Sequence, residues 1–377
     1  MNGYRSTIEV KYWRNFDYLL LLVALFLLGY GLAMIYSASL SAAGPDQSIW
    51  DMPVGRQGLF ALGGLVVFAG AVAADYRVFR NMALPLYVAV LVVLAGVVAL
   101  GVISHGAKRW LDLGVSLFQP SEIAKIVLII VLARFFSQYQ KSIKSLPVLL
   151  TSLVILAPPL VLIYLQPNLG TVIVFAAVWV GMAVMAGARL LHLAAMGLLA
   201  ALSAPLVYFF ALQEYMRERI RIFLDPALDP LGAGYNVLQA EISIGSGGLL
   251  GKGFAQGTQS QLHYLRIQFT DFIFSVIGEE LGFVGALALF VLFLFLLWRG
   301  MRAARLSQDA FGRLLATGIV SMLLFQIFLN VGVNVRLLPV TGVPLPLISY
   351  GGSSLVTVLL SLGILESIII RRKKLEF

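Results

Sequence analysis

The run Phe16-Asp-Tyr-Leu-Leu-Leu-Leu-Val-Ala-Leu-Phe-Leu-Leu-Gly-Tyr-Gly-Leu-Ala-Met-Ile-Tyr-Ser-Ala-Ser39 decides what kind of chain this is. One acid stands at its start, and no further charge follows until the run is over. A stretch of about 20 apolar residues is long enough to cross a hydrocarbon core as a helix. In lipid only a helix or a closed barrel satisfies every backbone polar group. Working outward from 16–39, comparable runs fall at 57–74, 81–103, 120–137, 146–165, 171–187, 191–212, 270–298, 311–335 and 343–370. The pattern predicts an all-α, polytopic integral membrane protein of about ten helices. It forms a single body over 1–377 with one large polar loop at 213–266. Ser37-Ala38-Ser39 and Ala42-Ala43 faintly resemble a signal-peptidase site, but the preceding run is too long for a signal peptide, so an uncleaved anchor is expected.

Composition agrees. Of the 377 residues 60% are hydrophobic and 12% charged, and the mean hydropathy is +0.93, which excludes an ordinary soluble domain. Cysteine is absent, so disulfides, thiolate metal sites and cysteine nucleophiles are excluded. His105, His192 and His263 are too scattered for a metal-ligand spacing. The net charge of +9 would suggest nucleic acid in a soluble protein; here it follows from topology, because basic loops are retained on the cytoplasmic side. Arg77, Arg80, Arg134, Lys141, Lys144, Arg189, Arg299, Arg302 and the Arg371–Lys374 tail share one side, which predicts two cytoplasmic termini. A second basic set concentrates in 104–125 and 213–266 on the opposite, outer face.

The outer segments carry the chemistry. Asp271, in Gln268-Phe-Thr-Asp-Phe-Ile-Phe-Ser275, stands where the long loop returns into an apolar helix. An acid there either caps the free N–H groups of the helix or serves as a general base whose proton affinity is tuned by burial and neighbouring charge. Position alone leaves both open. Lys108 and Arg109 beside Trp110 form a cationic rim, and Glu122 and Lys125 share one face of the helix opened by Pro120. Ionisable groups so near the hydrocarbon are costly and mark a site more often than not. Arg217, Arg219 and Arg221 are natural anchors for a pyrophosphate, unless they merely pair with Glu214 and Glu218. Ile242–Gly253 superficially resembles a phosphate loop but lacks the Walker spacing, so its glycines point to close backbone approach or re-entrant packing. Gln326, Asn330 and Asn334 form a polar stripe, read either as interhelical hydrogen bonding or as the wall of a wet cavity that Ser349 and Ser353 would complete. Pro339, Pro344 and Pro346 forbid a regular helix just after it.

Taken together these segments resemble the SEDS family of bacterial polytopic membrane proteins. The resemblance runs through Lys108-Arg-Trp110, Phe118-Gln-Pro-Ser-Glu-Ile-Ala-Lys125, Phe223-Leu-Asp-Pro226, Asp229-Pro-Leu-Gly-Ala-Gly-Tyr235, Ile244-Gly-Ser-Gly-Gly248, Thr270-Asp-Phe-Ile-Phe274 and Pro344-Leu-Pro-Leu-Ile-Ser-Tyr-Gly-Gly352, in the family's order. Asp229–Tyr235 and Gly257–Leu262 look more like the family's elongation members than its division members. The resemblance implies a peptidoglycan glycosyltransferase that polymerises lipid II on the outer face of the cytoplasmic membrane, with inversion at the anomeric carbon. It places the catalytic acid at Asp271, with Glu122, Lys125 and Arg109 in support. Lys108, Arg217, Arg219, Arg221, Arg266 and Asn168 are then expected around the headgroup and pyrophosphate, stabilising charge singly or through a divalent cation such as Mg²⁺ or Mn²⁺. A class B penicillin-binding protein is the implied partner, seated on spans 270–298 and 311–335. A lipid II flippase and a non-catalytic scaffold are the rival readings. Two departures bear on the site: Asn168 stands where the family has Asp in Gln-Pro-Asp-Leu-Gly, and Tyr264–Phe269 carries Arg266 near a position where the family has an acid.

Overall fold

In a computed structural model, the structure describes residues 15–40, 48–104, 107–112, 117–262, 264–265 and 267–372, with the side chains of 102–108 outside that description. The expected helices are α1 (Tyr18–Leu40), α2 (Pro53–Ala73), α3 (Tyr76–Leu100), α4 (Pro120–Gln138), α5 (Leu146–Leu165), α6 (Leu169–Ala186) and α7 (Leu190–Leu206, extended by a π turn to Ala211). After the outer segment come α11 (Ile273–Leu306), α12 (Ala310–Asn334) and α13 (Gly352–Ile370). Nine of these are long and apolar enough to span a membrane. The other, α4, carries Glu122, Lys125 and Arg134 and is largely buried among its neighbours, which is how a helix with three charges survives at membrane depth. The chain is a multi-pass membrane protein.

Three differences from the sequence reading have physical causes. Val102–Ser104, Ala107–Asp112 and Leu117–Phe118 form a small antiparallel sheet, β1-β2-β3, where no strands were expected. Its register sets Val102 opposite Trp110, Ile103 opposite Lys108 and Leu111 opposite Phe118, so Arg109 falls at a bulge between the paired residues of β2. The long loop is mostly helical: α8 (Glu214–Leu224), α9 (Ala233–Ser246) and the single turn α10 (Thr258–Gln261). Finally, α11 is not one continuous helix. Gly282 takes φ +62° and breaks it.

That break organises the outer half of the molecule. The N–H groups of Phe283 and Val284 donate to Gly248 O (2.9 Å) and Leu249 O (3.0 Å), while Glu279 O and Glu280 O accept from the N–H groups of Lys252 and Gly253, both at 3.0 Å. The glycine-rich loop therefore replaces the helical bonds lost at the break, as backbone at membrane depth requires. Only glycine permits this approach. A Cβ on Gly247 would lie 1.9 Å from Gly278 O, and one on Gly251, at φ +78°, 2.1 Å from Glu280 O. Side chains tighten the seam. Glu279 is fully buried, pairs with Lys252 at 2.7 Å and accepts from Gln259 N and Thr258 Oγ1. Glu280, also fully buried, accepts from Ser37 Oγ of α1, Ala255 N and Ser260 Oγ. At the far end of the bundle buried Asp17 pairs with Arg299 of α11, and its N–H donates to Glu366 of α13.

Gly251→Ala should lower the thermal midpoint of the detergent-solubilised protein by the equivalent of about 2 kcal/mol or more, through backbone strain and overpacking. Gly245→Ala, on α9 with open space around it, should instead stabilise by up to about 1 kcal/mol. Equal midpoints for the two variants would contradict the seam.

Candidate functional site

Asp271 ends the descent of the outer loop, one residue before Phe272, the residue that precedes α11. The segment around it is held by main-chain anchors from two elements. Asn330 and Asn334 of α12 each donate to Asp271 O, at 3.1 and 2.8 Å. Ser349 Oγ donates to Thr270 O at 2.6 Å, and Tyr350 N donates to Phe269 O at 2.8 Å. The capping role belongs to another residue: Asn334 Oδ1 accepts from Ser275 N at 3.0 Å and from Ser275 Oγ at 2.7 Å. Asn330 also donates to Val343 O at 2.9 Å, so one stripe of α12 fixes both the Asp271 segment and the proline-rich segment that follows it.

Cations gather around the half-buried carboxylate. A Cβ placed on Gly342 would lie 3.8 Å from Arg109 Nη1 and 3.9 Å from Asp271 Oδ2, so the guanidinium and the carboxylate both reach the space beside Gly342. Arg219 lines a cavity of about 130 Å³ together with Asp271. It donates to Val340 O at 2.9 Å and stacks on Tyr215 at 5.6 Å. Burial holds the Arg109 guanidinium below its usual range, and repulsion from Arg219 adds to that, with Asp271 and Tyr215 opposing. Burial pushes the Tyr215 hydroxyl up to about 12, keeping it a neutral stacking partner. Two cations beside one anion leave a site that attracts negative charge.

The helical period sorts the three arginines of α8. Arg217 and Arg221 lie four apart and both pair with Glu214, at 3.5 and 3.0 Å, as the pairing alternative expected. Arg219, between them, faces the opposite way. Glu122 and Lys125 form a buried ion pair at 2.7 Å on α4. Asn168 Nδ2 meets Ser121 Oγ at 3.3 Å, and Gly170, two residues on, is pressed against Thr341 and Val343 on either side of Gly342.

Several expected roles change. Asn168 is buried, and its Oδ1 accepts from Thr171 N at 3.3 Å, so it caps α6 rather than lining a headgroup site. Asn serves there as well as Asp would. Asn330, Asn334 and Ser349 do not line the cavity beside Asp271; they anchor backbone behind it. Ser353 Oγ accepts from Gln119 N at 3.0 Å and lines a separate small cavity with Phe60 and Phe118. Gln326 is buried with both polar atoms lacking a partner. The side chain of Lys108, and Arg266 altogether, lie outside the described residues. Sequence reading missed Tyr215, Asn236 and Gly342; only Gly342, inside a proline-rich stretch, gave any signal. Among the described residues no three His, Cys, Asp or Glu converge, and Arg109 and Arg219 stand near Asp271.

Removing one member of a buried ion pair strands the other. Lys125→Met should therefore cost about 3 kcal/mol in unfolding measurements, with Glu122→Leu/Lys125→Met recovering most of it. Asn334→Leu should cost about 1–3 kcal/mol, since it leaves Asp271 O and Ser275 N short of partners.

A family profile described as cell cycle protein, covering FtsW, RodA and SpoVE, matches residues 17–374. The chain is 41% identical over 364 residues to the peptidoglycan glycosyltransferase MrdB of Escherichia coli K12, covering 96% of this chain and 95% of that one. Among solved structures it resembles a chain of a peptidoglycan synthase complex studied for coordination of polymerization and crosslinking, at TM-score 0.76 and 32% identity, covering 94% and 97% of the two chains. It also resembles the rod shape determining protein RodA of Thermus thermophilus, at TM-score 0.69 and 29% identity, covering 95% and 98%. The chain belongs to the FtsW, RodA and SpoVE family.

Proposed function

We propose that the chain is a peptidoglycan glycosyltransferase of cell elongation, polymerising lipid II at the outer face of the cytoplasmic membrane. The observation that carries this reading is the convergence of Asp271 and Arg109 on the space beside Gly342. An inverting displacement needs a base on one side of the anomeric carbon and charge stabilisation for the leaving group on the other. Asp271 takes the proton of the acceptor 4-hydroxyl. The acceptor oxygen bonds to the anomeric carbon of the growing strand as the carbon–oxygen bond to the lipid pyrophosphate breaks. The electron pair leaves with the pyrophosphate, whose charge meets Arg109 and Arg219. Fixed cations in a partly desolvated site need no reorganisation as that charge develops. The backbone clamp from Asn330 and Asn334 holds the base in register while substrates exchange.

The family likeness supports a class B penicillin-binding protein as partner and the cytoplasmic membrane as location. α11 offers the broader surface for such a partner, with Phe283, Leu287, Val291 and Leu294 exposed along it; most of α12 is buried.

Incubating the purified full-length chain with labelled lipid II in detergent tests the assignment. Asp271→Asn should reduce polymer at least about 100-fold, the range of a lost general base, with an unchanged elution profile. Arg219→Gln should reduce the rate about 100-fold through lost charge stabilisation. Near-normal glycan from Asp271→Asn would sink the assignment. Headgroup translocation in sealed vesicles without any polymer would favour a flippase instead.

A further inference from the structure

At the opposite end of the bundle from Asp271, the start of α1 and the ends of α11 and α13 enclose a cavity of about 230 Å³ whose lining includes Asp17, Leu19, Arg299, Arg302, Ile369 and Arg372. Its polar side is cationic. Buried Arg299 pairs with Asp17, so the acid in the lining is already engaged. Arg302 Nη1 stands 3.9 Å from the same carboxylate. The guanidinium of Arg372 donates to the neutral Asn15 Oδ1 at 3.3 Å and, among the described residues, pairs with no carboxylate. Glu366, behind the lining, accepts from Asp17 N at 2.6 Å. Three guanidinium groups thus face two carboxylates, both of them occupied. Arg299 alone suffices to neutralise Asp17, and Arg302 and Arg372 exceed what that ion pair needs.

The apolar side of the cavity opens towards lipid. Leu19 lines it, and Leu19, Leu22 and Phe26 are exposed along one face of α1. Tyr18 and Trp298 are exposed beside it, and Arg299 stacks on Trp298 at 5.5 Å. Tyrosine and tryptophan collect at the boundary between membrane and water, so the cavity sits at headgroup depth.

We propose that this cavity binds the headgroup of an anionic phospholipid from the cytoplasmic leaflet. The phosphodiester meets Arg302 and Arg372, whose planar groups suit its oxygens, and an acyl chain follows Leu19, Leu22 and Phe26. Basic pockets between helices on the cytoplasmic side are suited to such headgroups, and the distribution of Lys and Arg puts this end of the bundle on that side. The volume exceeds several-fold the roughly 30 Å³ of a water in the liquid, which leaves room for a phosphodiester. A free phosphate would satisfy the arginines but not the apolar side. A zwitterionic headgroup brings an ammonium that the surplus of guanidinium charge repels. Because α1, α11 and α13 all contribute, a bound headgroup ties three helices together and stabilises the fold by linkage.

Native mass spectrometry of the purified full-length chain in detergent, given equal amounts of phosphatidylglycerol and phosphatidylethanolamine with the same acyl chains, tests the site. The wild-type chain should retain phosphatidylglycerol about tenfold over phosphatidylethanolamine, the scale of one or two cations beside a headgroup. Phosphatidylglycerol should also raise its thermal midpoint, and inorganic phosphate should not. Arg302→Gln/Arg372→Gln should bring the preference to within about twofold of unity. Lys141→Gln/Lys144→Gln removes the same charge from another basic recess, shared with Arg189 and His192, and should keep the preference. Equal retention of the two lipids by the wild-type chain overturns the site, and that comparison needs no variant to fold. Equal loss of preference in both double variants also overturns it, since that is the general attraction of a basic surface. The same rise in midpoint with inorganic phosphate as with phosphatidylglycerol overturns the lipid as ligand.

Discussion

The constraint on which the outer half of this protein depends is that no backbone polar group at membrane depth can go without a partner. Breaking α11 at Gly282 frees donors and acceptors between Glu279 and Val284, and the loop from Gly248 to Gly253 takes them up one for one. Everything above the break inherits its position from that seam. Glu279 gathers Lys252, Thr258 and Gln259, and Glu280 gathers Ala255 and Ser260. The segment that ends at Asp271 leaves this knot directly. The two acids are not spare charge in a hydrophobic helix. Their oxygens are occupied by several donors each, the condition under which buried carboxylates are tolerated.

The same economy appears at Asp271. Its surroundings divide into a rear wall that binds backbone and a front that binds charge. Asn330, Asn334 and Ser349 use their side chains on carbonyls and N–H groups, leaving the carboxylate on the side of Arg109 and Arg219. A base fixed through its own peptide bonds keeps its orientation when ligands come and go, which is what preorganisation of a catalytic group requires.

Much of this was legible from residue order. Spans follow from apolar run length, which physics sets by bilayer thickness, so most helices fall within about five residues of expectation, while α11 runs on to Leu306 and α13 begins only at Gly352, after the prolines. Asp271 was legible because a carboxylate at the end of a polar loop is conspicuous. The sorting of Arg217, Arg219 and Arg221 could have been read from Glu214, three and seven residues ahead of the two it pairs with. Other features were hidden in principle. Nothing local to Asn330 says whether its amide meets water or a carbonyl; that depends on a segment 59 residues away. The break at Gly282 lies inside a strongly apolar run, and its cause is a loop some thirty residues earlier that no periodicity connects to it. Asn236 looks like an ordinary helix residue until the walls around it are assembled. Asn168 was read as a change of site charge, when its work is to begin a helix.

The contacts of Asp17 have a consequence for biogenesis. Its partners, Arg299 and Glu366, stand 282 and 349 positions later in the chain. At ribosomal speeds of roughly 5–20 residues per second, the first helix enters the membrane tens of seconds before either partner exists. During that interval its acid lacks both partners, and an unpaired carboxylate is costly away from water. These contacts of α1 are therefore made only after α11 and α13 have been synthesised.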